Sequence, residues 1–328
     1  MPRDRAGARL VLLRTRRVQE QPGYWRLAWR RFRRNRLAVV SGFLLLAFIL
    51  VALGGDVIAP HDPYEQFLRR GGEVITDPLA PRDDGTFEGP SVAHLFGTDE
   101  LARDIFSRSV LGLRISLGAA LFLIVIVTTV GITVGVAAAA GPRWGDELLM
   151  RMTDVAYAFP DILLIILLRS AFGDTILGRR SVVGIDVDVL LLFFAIGLTA
   201  WPTMARLVRA QLLSLREREF TTAARAMGAG PMRIAVTHWL PNATGPVIVE
   251  ATFLVPRAIF AEAALSFIGV GVTPPTPSLG VLISSHFSFV SVQWTALAFP
   301  TLILATLFIV FQFFGDGLRD AMDPRTRR

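Results

Sequence analysis

Six stretches of this chain are each long and apolar enough to cross a lipid bilayer as a helix, and nothing else in the sequence constrains the fold so sharply. A bilayer core about 30 Å thick needs about 20 apolar residues in helical form. The stretches run over residues 37–59, 115–140, 148–172, 187–207, 245–270 and 294–314. Pro160, Pro202 and Pro256 interrupt three of them, which membrane helices tolerate when neighbouring helices or water satisfy the freed carbonyls. Hydrophobic residues make up 52% of the 328-residue chain and only 19% are charged, and the mean hydropathy is +0.51. Most of the charge lies between the apolar blocks, because ionisable groups are costly in hydrocarbon and cheap in loops. The expected fold is therefore an all-α polytopic membrane protein with about six transmembrane helices.

Arginine sets the expected orientation. All 34 basic residues are arginine, and the formal net charge is +7. They concentrate at Arg26, Arg30, Arg31, Arg33, Arg34 and Arg36 before the first span. Arg206, Arg209, Arg216, Arg218, Arg225 and Arg233 follow between spans four and five, and Arg325, Arg327 and Arg328 stand at the end. Six spans put all three clusters on one side, which the positive-inside rule makes the cytoplasm. The resulting division is an Arg-rich cytoplasmic arm over 1–36, a first span over 37–59, an extracytoplasmic loop over 60–114, a core of spans two to six over 115–314 with a cytoplasmic loop at 216–242, and a cytoplasmic tail over 315–328. Trp25, Trp29 and Phe32 recur at helical spacing among the arginines. That pattern suits a helix lying in the inner interface; a basic tail that only sets topology is the alternative.

Several chemistries drop out. The arginines sit beside hydrophobic spans, where anionic headgroups and insertion explain them, so no nucleic-acid footprint is expected. There is no cysteine, hence no disulfide. His61, His94, His238 and His286 make no paired-ligand spacing, and no metal is expected. A phosphate-binding GxxxxGK[ST] loop needs a lysine that the chain lacks. No enzymatic constellation and no cofactor site are expected here; energy from ATP would have to come from another chain.

The segment Glu217 to Asn242 reads EREFTTAARAMGAGPMRIAVTHWLPN. A helix is expected over Glu219 to Met227, with stop signals at Gly228 and Gly230 and a second helix starting at Pro231. Such a protrusion offers a soluble partner something to grip. The segment resembles the EAA loop of ABC-importer permeases: Ala223 and Ala224 match the alanines, Gly228 the glycine, and Leu240 and Pro241 the ending. His238 followed by Trp239 resembles the peptide-permease variant, whereas Thr222 stands at the usual glutamate and Glu219 lies a turn away. HLFGTDELARDIFSRSVLGLRISL over His94 to Leu117, DVAYAFP over Asp154 to Pro160 and EAALSFIGVGVTPPTPSLG over Glu262 to Gly280 resemble further motifs of the same branch, with Ala102 at a usual glycine. The chain is thereby similar, over about Trp25 to Pro324, to the C-type permease subunit of dipeptide and oligopeptide importers.

That resemblance implies the type I importer permease fold in a bacterial inner membrane. It implies a second permease subunit as heterodimer partner, two ATP-binding subunits that hold ATP and Mg, and an extracytoplasmic peptide-binding protein. Glu219, Ala223, Ala224, Gly228, His238, Leu240 and Pro241 are the residues implied to couple to an ATPase. Nickel, glutathione or another small ligand is an alternative cargo, and an ion-coupled secondary transporter an alternative class.

Within the spans, Glu262 either lines the pathway or makes a hydrogen-bonded packing contact, since an intramembrane acid avoids lipid. Asp154 is expected to pair with Arg151 near the inner interface. Leu101, Ile105 and Phe106 suggest an interfacial helix over Gly97 to Arg114 leading into span two. Pro274, Pro275 and Pro277 stiffen an external loop that is either a gate or a plain connector.

Overall fold

The structure is a computed structural model and describes residues 24–66, 68–70, 73–75, 87–172, 181–182 and 185–323. The basic stretch before residue 24, much of the external excursion between Glu65 and Ser91, and Arg325, Arg327 and Arg328 lie outside the described residues. The helices are α1 Tyr24–Phe32, α2 Arg36–Leu53, the single turn α3 Gly55–Ile58, α4 Ile105–Ala140, α5 Arg143–Ala158, α6 Asp161–Phe172, α7 Val187–Arg216, α8 Glu219–Ala226, the single turn α9 Pro231–Ile234, α10 Leu240–Phe267, α11 Leu279–Phe287 and α12 Trp294–Met322. Two small antiparallel pairs, Leu68–Arg70 with Glu73–Ile75 and Ser181–Val182 with Ile185–Asp186, lie in the connections.

Capping side chains explain several helix starts. Asn35 Oδ1 accepts from the Ala38 amide at 3.2 Å at the head of α2. Asp104 Oδ2 accepts from the Ser107 amide at 2.8 Å at the head of α4, and Ser278 Oγ from Val281 at 3.1 Å at the head of α11. Each satisfies one of the amides that a helix start leaves without an intrahelical acceptor.

By length and composition α2, α4, α7 and α12 each suffice to cross a membrane. The third apolar block is two helices of 16 and 12 residues, because Phe159 before Pro160 is extended at φ −71 ψ 129, as the proline ring demands of its predecessor. The 28-residue α10 carries Glu250, Arg257 and Glu262 together with Pro246 and Pro256. The interfacial helix expected over Gly97 to Arg114 does not form as one unit. Gly97 at φ 81 and Ala102 at φ 58 break any right-handed helix there, and α4 starts only at Ile105 and runs without interruption for 36 residues.

An extensive, close helix crossing joins α4 to α7 through Gly131 and Gly135. A Cβ at Gly131 would stand 2.5 Å from Met204 Cγ, and one at Gly135 would stand 2.7 Å from Val208 Cβ. This spacing of small residues lets backbones approach and gain dispersion contacts that lipid cannot replace.

α1 closes one end of the bundle by packing against the end of α12. Phe32 packs edge-on against Phe314 at 5.5 Å, and Arg31 Nη1 donates to the Asp323 carbonyl at 2.8 Å beyond the end of α12. Ala28 and Phe32 are buried while Trp25 and Trp29, on another face, are 54% and 62% exposed. At the other end, residues 87–104 form a cap. Phe96 stacks on Phe299 at 4.1 Å and meets Phe106 edge-on at 5.0 Å. Gln293 Nε2 donates to the Glu88 carbonyl at 2.5 Å.

Candidate functional site: a helical protrusion between α7 and α10

The expected helix, glycine turn and second helix form, with one difference that matters mechanically. α8 ends at Met227, whose amide bonds the Ala223 carbonyl at 3.1 Å. Gly228 then turns at φ +84, a conformation that a Cβ disfavours. Its amide bonds Arg225 O at 2.9 Å and that of Ala229 bonds Ala224 O at 3.1 Å, which satisfies the carbonyls at the end of α8. Beyond it α9 begins with Pro231 in its first turn. The separate second helix expected there is a single turn, continued by a π-helical turn at Ala235–Trp239 and then by α10. The residues at both joints keep right-handed helical backbone angles. Pro241 is the second residue of α10, which follows directly on the π-helical turn. From Pro231 onward the chain is therefore one rod that enters the bundle without a flexible joint.

A buried hydrogen-bond chain anchors α8 to that rod. Trp239 is 1% exposed, and its indole Nε1 donates to Thr221 Oγ1 at 2.9 Å. Thr221 Oγ1 in turn donates to the Leu215 carbonyl at 2.8 Å at the end of α7. One hydroxyl thus ties α7, α8 and the rod together. Sequence reasoning passed over Thr221: the motif drew attention to Thr222 next to it, which is exposed.

The expected coupling residues divide between two faces. Ala224 is buried and Leu240 half-buried against the core, whereas Glu219, Ala223, Gly228, His238 and Pro241 are exposed. The outer face also presents apolar side chains: Phe220, Met227, Met232 and Val236 are exposed, Met227 to 81%.

Near this protrusion α5 is tied to α7 by two ion pairs. Arg209 meets Asp146 through both carboxylate oxygens, at 2.5 and 2.6 Å. Asp154 does not take Arg151 as expected; its Oδ1 accepts from Arg206 Nη2 at 2.8 Å, while the Arg206 guanidinium lies 4.8 Å from the Tyr157 ring centroid. The folding of α7 back along α5 brings in a partner 52 residues away.

Glu262 is 0% exposed. Its Oε1 accepts from Ser278 Oγ at 2.6 Å and Ser266 Oγ at 2.8 Å, so it joins α10 to the start of α11. In the cap, His94 Nδ1 lies 3.0 Å from Asp104 Oδ1, and the His61 and His94 rings stand 4.9 Å apart. Asp99, Glu100 and His286 form a second cluster. Its Asp99 is already matched by Arg103 Nε at 2.8 Å and Arg108 Nε at 3.5 Å, a charge balance unsuited to a divalent cation. Three of the four histidines thus converge at one end of the bundle from positions that the linear sequence keeps apart.

Residues 131–328 match the family described as the binding-protein-dependent transport system inner membrane component. Residues 23–73 match the N-terminal TM domain of oligopeptide transport permease C. The chain is 36% identical over 308 residues to the dipeptide transport system permease protein DppC of Bacillus subtilis, covering 93% of this chain and 87% of that one. It is 34% identical over 303 residues to the glutathione transport system permease protein GsiD of Pectobacterium atrosepticum, covering 92% of each. A chain of the MetNI methionine ABC transporter in an inward-facing conformation superposes with a TM-score of 0.51 at 21% identity, over 66% of this chain and 96% of that one, which establishes a shared fold.

Proposed function

Since the chain belongs to the family of binding-protein-dependent transport system inner membrane components, we propose that it is the C-type permease subunit of an ATP-driven importer of di- and oligopeptides. It forms half of a translocation pathway with a second, different permease subunit. Two separate ATPase subunits bind ATP and Mg and dock on the cytoplasmic side, and an extracytoplasmic binding protein delivers the peptide. Both termini and the protrusion face the cytoplasm, with the arm before α2 and the tail after α12 on the same side. The contact between α1 and the end of α12 supports that arrangement.

The observation that carries this reading is the mechanical continuity of the protrusion. α8, with Glu219, Ala223 and Ala224, sits in a groove on an ATPase, and Gly228 turns the chain into the rod that becomes α10. His238, Leu240 and Pro241 lie where that rod enters the bundle. When the ATPases close on ATP they carry α8 as a rigid body, and the Thr221–Trp239 anchor passes the displacement into α7 and α10. The similarity to dipeptide permeases supports a peptide cargo.

The test is ATP hydrolysis and dipeptide uptake in liposomes containing this chain with its partner subunits, with glutathione as competitor. Gly228→Asp is compared with wild type, and assembly is checked by co-purification. An assembled variant that loses peptide-stimulated hydrolysis and uptake bears the reading out. Transport by this chain alone, without ATPases, overturns it.

A further inference from the structure

Two buried polar atoms face each other across the junction between the cap and α11 without a hydrogen bond. Glu100 Oε2 and His286 Nε2 stand 3.6 Å apart, with the side chains 25% and 1% exposed, and neither atom has a hydrogen-bond partner. The other ring nitrogen of His286 settles the tautomer. Nδ1 lies 2.7 Å from the Leu282 carbonyl, and a carbonyl only accepts, so Nδ1 carries the proton. In the neutral imidazole Nε2 is therefore an acceptor, and it faces a carboxylate oxygen that is also an acceptor. Nothing donates between them. Leaving two buried polar atoms unpaired costs free energy that a pairing would recover, and one added proton on Nε2 supplies the missing donor.

The surroundings decide what that proton meets. The cap contributes Asp99, Glu100 and Arg103, with Arg103 Nη2 3.6 Å from Glu100 Oε1. α4 contributes Arg108, which also holds the Pro63 carbonyl at 3.0 Å. α10 contributes Glu262, held at the opposite end of α11 by Ser278, and His286 is the sole titratable side chain in α11. Two acids and two arginines surround the imidazole, and the added proton faces Glu100 Oε2, the oxygen of that carboxylate opposite the one Arg103 approaches. Burial pushes the His286 imidazole below its ordinary range and Arg108 pushes the same way, while Glu100 and Asp99 pull it upward. With the titration lowered, the imidazole stays neutral near neutral pH and loads its proton only on the acid side of the usual histidine range of about 6.5.

We propose that Glu100 and His286 are a positioning pair that a single proton closes, drawing the end of α11 onto the cap and slowing substrate passage when the outer medium turns acidic. The part concerning passage rests on the importer reading above, with the cap facing outward; the clasp itself does not. A charge-assisted contact shortens to about 2.8 Å, so closure moves α11 by less than an ångström at His286. α11 is held at its other end through Ser278 and Glu262, and the clasp adds a polar tie at the His286 end beside the Phe267–Phe287 and Phe87–Phe289 ring contacts.

The test is hydrogen exchange of α11 amides in the full complex in nanodiscs, at about pH 7.5 and about pH 5.5, corrected for intrinsic rates. Wild type is expected to gain roughly tenfold protection at the acid pH, the size of one charged hydrogen bond. His286→Gln cannot gain a proton and is expected to show no gain. Glu100→Gln places a carboxamide donor against neutral Nε2, so α11 is expected to be protected already at about pH 7.5, with no further gain. Equal protection of wild type at both pH values, or the same gain in His286→Gln, overturns the clasp. Peptide uptake at the two outer pH values is the second readout, expected to fall in acid for wild type and to lose that fall in His286→Gln. An acid fall that persists in His286→Gln overturns the role in passage, even where the exchange data bear the clasp out.

Discussion

At the scale of single residues, the most instructive position is Ala102. It occupies a left-handed conformation at φ 58 in the turn that delivers Asp99, Arg103 and Asp104 to the cap, and such a conformation costs a residue with a Cβ about 1–2 kcal/mol. The glycine usual at this place in the resembled motif removes that cost. Ala102→Gly should therefore stabilise the cap by about 1 kcal/mol even after the greater chain entropy of glycine, read as a higher melting temperature in detergent. Thr221 and Trp239 make the opposite case. Trp239→Phe keeps an aromatic ring but deletes the donor to Thr221, which should cost about 1 kcal/mol, and empties part of the indole's buried volume, which adds a cavity cost. If coupling runs through this anchor, the variant should also lower the uptake obtained per ATP hydrolysed. Loss of stability with an unchanged ratio would confine the residue to packing. Ion pairs at the surface matter less: Asp154 and Arg206 are 68% and 40% exposed, and Arg206→Gln is expected to shift stability by less than about 1 kcal/mol.

At the scale of elements, the crossing of α4 and α7 leaves no room for a side chain at Gly131 or Gly135. Gly131→Leu must displace Met204 and part of the backbone of α7, which overpacking data put at about 1–3 kcal/mol or more. The expected result is a poorly assembled protein with a lowered melting temperature, and a fully assembled, stable variant would contradict the packing described here. α10 shows a different logic. Its prolines and its buried acid would be liabilities in an isolated span, yet Glu262 is taken up by Ser266 and Ser278. Glu262 thus links α10 to α11 by hydrogen bonds in this conformation, and Glu262→Gln, which keeps the shape and one acceptor, should leave assembly intact. Peptide uptake separates the two roles considered for it, since a pathway group would lose transport in that variant and a packing group would retain it.

At the scale of the whole molecule, the two ends differ in construction. One end carries α1 and the protrusion, and presents Trp25 and Trp29 outward beside Arg26 and Arg30. Aromatic rings and guanidinium groups on one short helix suit the headgroup layer of an anionic membrane. Arg26→Gln with Arg30→Gln should reduce the preference of the complex for vesicles rich in phosphatidylglycerol over phosphatidylcholine ones. The other end is a cap locked by aromatic stacking and by hydrogen bonds between segments distant in the chain, including Gln293 to Glu88. The rod from Pro231 into α10, and Glu262 from α10 into α11, connect the two ends through continuous covalent and hydrogen-bonded structure.

Hydropathy alone determined that this chain is helical and embedded in a membrane, because hydrocarbon punishes charge and exposed backbone whatever the tertiary arrangement. The helix over Glu219 to Met227, the turn at Gly228 and the start at Pro231 were equally readable, since glycine and proline act through local backbone geometry. Tertiary structure decided what depends on distant partners. Arg206 rather than Arg151 reaches Asp154, and Thr221 rather than Thr222 anchors the protrusion. The apparent helical spacing of Leu101, Ile105 and Phe106 yields to a turn that Asp104 closes as a cap. His286 meets Glu100 only because α11 folds back beneath the cap. A hydrogen bond between residues far apart in sequence leaves no periodicity behind, and that is why the polar chemistry of both ends became visible only in three dimensions.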